Sequence, residues 1–165
     1  YIKALPDFSA ERRRCDEELE ATREALGNAP VAIDATAHPR PLELARLLVE
    51  HGMRVEEIYL DAVNPEEEDV LFWLRANASR VTLSSTVLPE MRVAPRTREE
   101  HMLAIGQRAA WFCGTHHFVN VVWGAGLWGF AGIRKIAALV RDAQATPKDP
   151  RDILPRKGLG CPSCF

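Results

Sequence analysis

Val31-Ala32-Ile33-Asp34-Ala35-Thr36-Ala37-His38-Pro39-Arg40-Pro41-Leu42 passes from an apolar triplet, through a polar loop bounded by proline, into a segment with Leu42, Ala45, Leu48 and Val49 at helical spacing. A short apolar run between Pro30 and a polar loop suits a strand buried on both faces. The following segment suits an amphipathic helix, and Gly52 is placed to stop it. The stretch therefore reads as one strand, loop and helix unit.

The unit repeats toward the C-terminus. Val55, Ile58, Tyr59 and Leu60 mark a second strand. Asn64-Pro65 and the three glutamates after it resemble an N-cap, a first-turn proline and acids suited to the helix dipole, for a second helix running to about Ala76. Val81 and Leu83 carry a third strand over residues 80–84, and residues 87–97 are polar and twice interrupted by proline. Residues 98–113 are ambiguous: they fit one long helix, or a short strand at 102–105, a turn at Gly106 and a second helix. Residues 118–122 form another β-rich run, leading through Trp123-Gly124-Ala125-Gly126-Leu127-Trp128-Gly129 into a helix over 130–143 with Ile133, Ile136, Ala137 and Val140 on its inner face. Upstream, Ser9 is placed to cap an exposed helix over residues 12–26, with Leu19, Ala21 and Leu26 as its apolar stripe and Gly27-Asn28 as its end.

Alternating strands and helices predict an α/β fold of three αβα layers, Rossmann-like or chelatase-like, around a mainly parallel sheet of about four to five strands. Residues 1–28 are expected to form a helical extension, 29–145 the Rossmann-like domain and 146–165 an extended tail with three prolines ahead of Cys161-Pro162-Ser163-Cys164. Tyr1 is not an initiator methionine and the first residues lack a signal-peptide pattern, so a fragment of a longer protein is expected.

Composition narrows the function classes. A hydrophobic fraction of 47% and a net charge of −2 over 165 residues describe an ordinary globular domain, with no broad electrostatic reason to bind nucleic acid or an anionic membrane. The longest apolar stretch, residues 118–133, is broken by Asn120 and several glycines and falls short of the ~20 apolar residues of a membrane span. Four cysteines, unevenly spaced, do not make a disulfide framework, and a reducing cytoplasm is expected.

In parallel sheets ligands bind beyond the carboxyl ends of the strands. The loops expected there are residues 34–40, 61–64, 84–86, 106–107 and 123–129, and the candidate binding residues in them are Thr36, His38 and Arg40 in the first, Gly106 and Gln107 in the fourth, and Gly124, Gly126 and Trp128 in the last. An imidazole and a guanidinium near a helix start suit an anion, an acidic cofactor substituent or a cluster edge, although Pro39 and Pro41 could equally just shape the turn while both side chains face water. Gly124, Gly126 and Gly129 match G-x-G-x-x-G in letters. A dinucleotide fingerprint should follow the first strand and meet an acidic residue about 20 residues on, whereas these glycines follow the last strand. Such a loop better fits a backbone passing close to a bulky cofactor or a neighbouring chain. His116 and His117 beside Cys113 resemble metal ligands, but neighbours in a strand point to opposite faces, which favours a structural role. Cys161 and Cys164 form one bidentate half-site that would need two ligands from elsewhere; an incidental tail is the alternative.

Three stretches, in order, resemble the C-terminal domain of the nitrogenase component 1 family. The first runs from Glu18 to Val55 and holds Val31-Ala32-Ile33-Asp34, His38-Pro39-Arg40-Pro41 and Glu50-His51-Gly52-Met53-Arg54-Val55; the second is Ala104-Ile105-Gly106-Gln107. The third, Gly126-Leu127-Trp128-Gly129-Phe130-Ala131-Gly132-Ile133, is similar to the family's G-P-Y-G-F-x-G loop into a helix. The resemblance implies that residues 102–105 are a strand and that the loops at 38–40 and 124–129 face a cofactor pocket, with His38 and Arg40 as the carried-over positions. It further implies an iron-sulfur cluster, a related metallocluster or a tetrapyrrole in the full assembly, a sister subunit, and an ATP-dependent iron-sulfur reductase as electron donor. The family's histidine ligand just before that loop has no counterpart, since residues 119–122 offer only Asn120 and His116 and His117 come too early. This departure argues against an iron-molybdenum cofactor and for a nitrogenase-like relative. The isolated domain is expected to carry no cofactor and to be inactive. A cofactor-assembly scaffold and a free-standing nucleotide-binding module are the rival readings.

Overall fold

The structure is a computed structural model that describes residues 6–89, 91, 101–122 and 126–149. Its elements in chain order are α1 (Ser9–Leu26), β1 (Val31–Asp34), α2 (Pro41–Glu50), β2 (Val55–Tyr59), a 3₁₀ turn (Pro65–Glu67), α3 (Glu68–Asn77), β3 (Thr82–Ser84), β4 (Leu103–Ile105), α4 (Gln107–Cys113), β5 (His117–Val119) and α5 (Gly129–Ala145). The predicted αβα fold with a parallel sheet is present. Five strands lie in the order β3-β2-β1-β4-β5, every neighbouring pair parallel.

The ambiguous segment resolves as strand, glycine and helix. Leu103, Ala104 and Ile105 pair with Val31, Ala32 and Ile33, so two apolar triplets far apart in sequence satisfy each other's backbone groups in the middle of the sheet. All four residues of β1 are buried, as an apolar run between two covered faces requires. Val31 and Ile33 join a large core with residues of α1, α2, α3 and α5, while Ala32 faces a smaller one with Tyr59, Ala109, Cys113 and Phe118 on the α4 side. This period-two split places helices on both faces.

Helix α1 begins three residues earlier than its charge pattern predicts: Asp7 accepts from the Ser9 N–H at 2.9 Å, and Ser9 is itself helical. Leu19 and Leu26 are buried as expected, but Cys15 and Thr22 complete the buried stripe and Ala21 is exposed. The Thr22 hydroxyl bonds to Glu18 O and Arg141 reaches back to the same turn, so α1 lies against α5. No helix among the described residues is long and apolar enough to cross a membrane.

Candidate functional site at the strand ends

Strand β1 is followed by α2 on one face of the sheet and its neighbour β4 by α4 on the other. The chain reverses its winding between them, and a crevice opens at such a point beyond the carboxyl ends of the strands. In many folds of this kind the helix N-termini beside the crevice hold a phosphate. Here both are filled from within. Asp34, the last residue of β1 and fully buried, accepts from the N–H groups of Arg108 at 2.7 Å and Ala109 at 3.1 Å at the start of α4. Its other oxygen accepts from Thr36 N at 2.6 Å and from the Thr36 hydroxyl. Glu67, also fully buried, accepts from Leu42 N at 2.9 Å and Glu43 N at 3.1 Å at the start of α2. The positive ends of both helix dipoles thus face internal carboxylates.

The loop between β1 and α2 is tied down along its length. Asn64 donates to Pro39 O at 3.1 Å and to Glu67 at 3.2 Å, and Arg40 pairs with Glu66. The His38 Nδ1 sits 3.2 Å from Arg40 N and 3.0 Å from Arg40 O, so the Arg40 backbone engages that nitrogen in either tautomer and Nε2 is the one left to meet a ligand. The His38 ring lies 5.8 Å from the Trp128 ring, tilted by 45°. Two loops separated by most of the sequence therefore meet at one rim.

Trp128 is 61% exposed, although indole is among the side chains that gain most from burial. Behind it a groove of about 180 Å³ runs between α2 and α5, lined mainly by Leu44, Leu47, Leu127, Ile133 and Ile136. Gly132 lets α5 approach this loop: a Cβ there would lie 2.3 Å from the Leu127 carbonyl carbon. On the opposite lip of the crevice Asp61, Thr86 and Arg108 form a network, with the guanidinium 3.2 Å from the carboxylate and 3.0 Å from the hydroxyl. The Thr86 hydroxyl, ahead of Arg108, holds the Asp61 carboxyl below the ordinary carboxylate range.

The structure brings His38 and Trp128 together and sets Arg40 beside them in the same loop. Thr36 spends its hydroxyl on Asp34, and Gln107 donates to Asn120 at 2.7 Å, so both serve local structure. Gly106 has φ +111°, and its missing Cβ leaves room for the Asp34 carboxylate. Gly126 is exposed with φ +75°. Gly124, Cys161 and Cys164 lie outside the described residues. His116 is exposed while His117 Nδ1 lies 3.0 Å from Ala143 O, and Cys113 lies 3.6 Å from the Tyr59 hydroxyl. These groups do not converge, and no three His, Cys, Asp or Glu side chains able to hold a metal ion do so among the described residues.

Asp34 and Asn64 fall in the expected strand-end loops, but their roles as acceptor and brace were not legible, and Glu67 and Arg108 lie outside those loops. The glutamates after Pro65 read as acids for their own helix, whereas Glu67 serves the start of α2. Asn64, expected to cap that helix, makes no side-chain cap and braces the His38 loop instead.

No family model matches the sequence and no curated protein does. Among solved structures, a chain described as nitrogenase Cp1 at pH 6.5 is similar with a TM-score of 0.61 and 12% identity over 94% of this chain. The fold resembles part of that nitrogenase chain. At this identity the likeness is one of fold alone, and this chain spans 35% of the nitrogenase chain's length.

Proposed function

We propose that this chain is a domain of a nitrogenase-like, component 1-type oxidoreductase subunit, and that its strand-end cleft walls one side of a buried cofactor site. The contact between His38 and the exposed Trp128 carries the reading, because it sets an imidazole and a large uncovered indole from separate loops at one rim. An exposed indole bordering an apolar groove fits a surface that another body covers. The described residues fit a wall and a source of hydrogen bonds: His38 offers Nε2, and the Arg40 and Arg108 guanidiniums offer N–H donors to an acidic substituent. They do not fit a ligand set, so metal coordination would fall to residues other than the described ones, in this chain or in a partner. An iron-sulfur cluster or related metallocluster in the full assembly, a sister subunit, an ATP-dependent iron-sulfur reductase as donor and a cytoplasmic setting belong to the same proposal. Cys161 and Cys164 remain candidate ligands in it.

Nucleotide binding at the starts of α2 and α4 is disfavoured by the same geometry. A phosphate at either helix start would have to displace a buried carboxylate and would meet its charge.

The test uses the full-length gene product, purified anaerobically with its sister subunit. Iron content and the visible spectrum should show a bound cofactor, and Trp128→Ala should lose most of it while the circular dichroism spectrum stays unchanged. Turnover with the reductase supports the oxidoreductase, and retention without turnover supports an assembly scaffold. Absence of cofactor, or equal retention by Trp128→Ala, overturns the proposal.

A further inference from the structure

The loop that carries His38 is short and exposed at Pro39 and Arg40, yet both of its ends are fastened to fully buried carboxylates. At the strand end Asp34 holds Thr36 through backbone N–H and hydroxyl, while its second oxygen is anchored on α4. At the helix end Glu67 holds Leu42 and Glu43 N–H, while its second oxygen accepts from Asn64, which also grips Pro39 O. We propose that Asp34 and Glu67, through Asn64, are positioning residues for His38: two buried carboxylates clamp the 35–40 loop and fix the imidazole against Trp128.

A carboxylate can accept several hydrogen bonds at once, and these bonds to ionised acceptors are short and strong. Each clamp therefore joins the loop to an element outside the first strand, loop and helix unit: α4 for Asp34 and the 3₁₀ turn for Glu67. The Arg40 to Glu66 pair, by contrast, is exposed at both ends and holds the loop weakly. The importance of this placement rests on the reading that His38 meets a ligand, but the placement can be measured without one.

The chain has five histidines, so the His38 Cε1–H proton resonance can be assigned by its loss in His38→Gln. Its displacement by the Trp128 ring current is the part that disappears in Trp128→Leu. Asp34→Asn and Glu67→Gln each leave an amide N–H₂ facing N–H donors, and the displacement should be lost in both. Asn64→Ala removes the brace at an exposed side chain and should lose it in a chain that still folds, with a lowered melting temperature because one Glu67 oxygen loses its donor, and this decides the matter if either buried variant does not fold. Glu66→Gln should keep it. A folded Asn64→Ala with the displacement of the unsubstituted chain overturns the proposal. Because no cofactor enters the measurement, failure of the cofactor-wall reading would show separately, as unchanged cofactor retention in the assembly.

Discussion

A Cβ at Gly106 would lie 2.3 Å from Asp34 Oδ2, so the glycine between β4 and α4 and the carboxylate of β1 occupy complementary space. The glycine also holds φ +111°, a backbone region that a side chain disfavours. Gly106→Ala should therefore cost about 3 kcal/mol or more, from strain and from displacement of a buried charged acceptor. Urea unfolding checks this, and a loss below about 1 kcal/mol would show that the carboxylate moves aside freely.

Trp128→Ala should separate stability from function. The ring is mostly exposed, so the isolated chain should change by no more than about 0.5 kcal/mol, as is usual for surface positions. Thermal unfolding beside cofactor retention in the assembly measures both effects. A large drop in melting temperature would make Trp128 a structural residue instead.

Gly132→Ala tests how the Trp128 loop meets its helix. The added Cβ would be 2.3 Å from backbone, which cannot rotate away. The substitution should destabilise by about 2 kcal/mol and disturb the His38 resonance, a combination Trp128→Ala cannot mimic in stability.

Glu57 predicts a pH effect. Burial, before any other cause, raises its carboxyl above the ordinary 4.5. A raised carboxyl favours folding in its protonated form, so its contribution is present below pH 4.5 and is lost as pH rises through the folded value. Glu57→Gln should accordingly raise the melting temperature at neutral pH and flatten its pH dependence just above that range. Asp61 acts in the opposite sense: Thr86 lowers its carboxyl below the ordinary 3.8, so its contribution is present above that value and is lost as pH falls through the folded one. Asp61→Asn should weaken the acid sensitivity below pH 3.8, read by the same melting curves.

The strand, loop and helix units were legible because each is encoded locally, by an apolar run, a polar turn and a 3.6-residue stripe. The segment over 98–113 was not legible from periodicity, since its helical and strand patterns are equally good until β1 arrives as a pairing partner; the family resemblance alone implied the strand found at Leu103–Ile105. His38 and Trp128 could be named separately, as polar and aromatic groups in strand-end loops. Asp34 lies in the first of those loops, but its acceptor role could not be read, because it appears only when N–H groups 74 and 75 residues later are brought to it. Glu67 stood in plain view and was assigned to its own helix, which dipole complementarity made the natural choice.

Those long-range carboxylate bonds also shape how the chain folds. The amides of Leu42 and Glu43 wait for a partner 25 and 24 residues downstream, and α4 starts on a residue supplied by the first strand. Neither helix can reach its protected state as a local unit, so the opening turns of α2 and α4 should exchange their amide protons only when distant parts of the chain separate together.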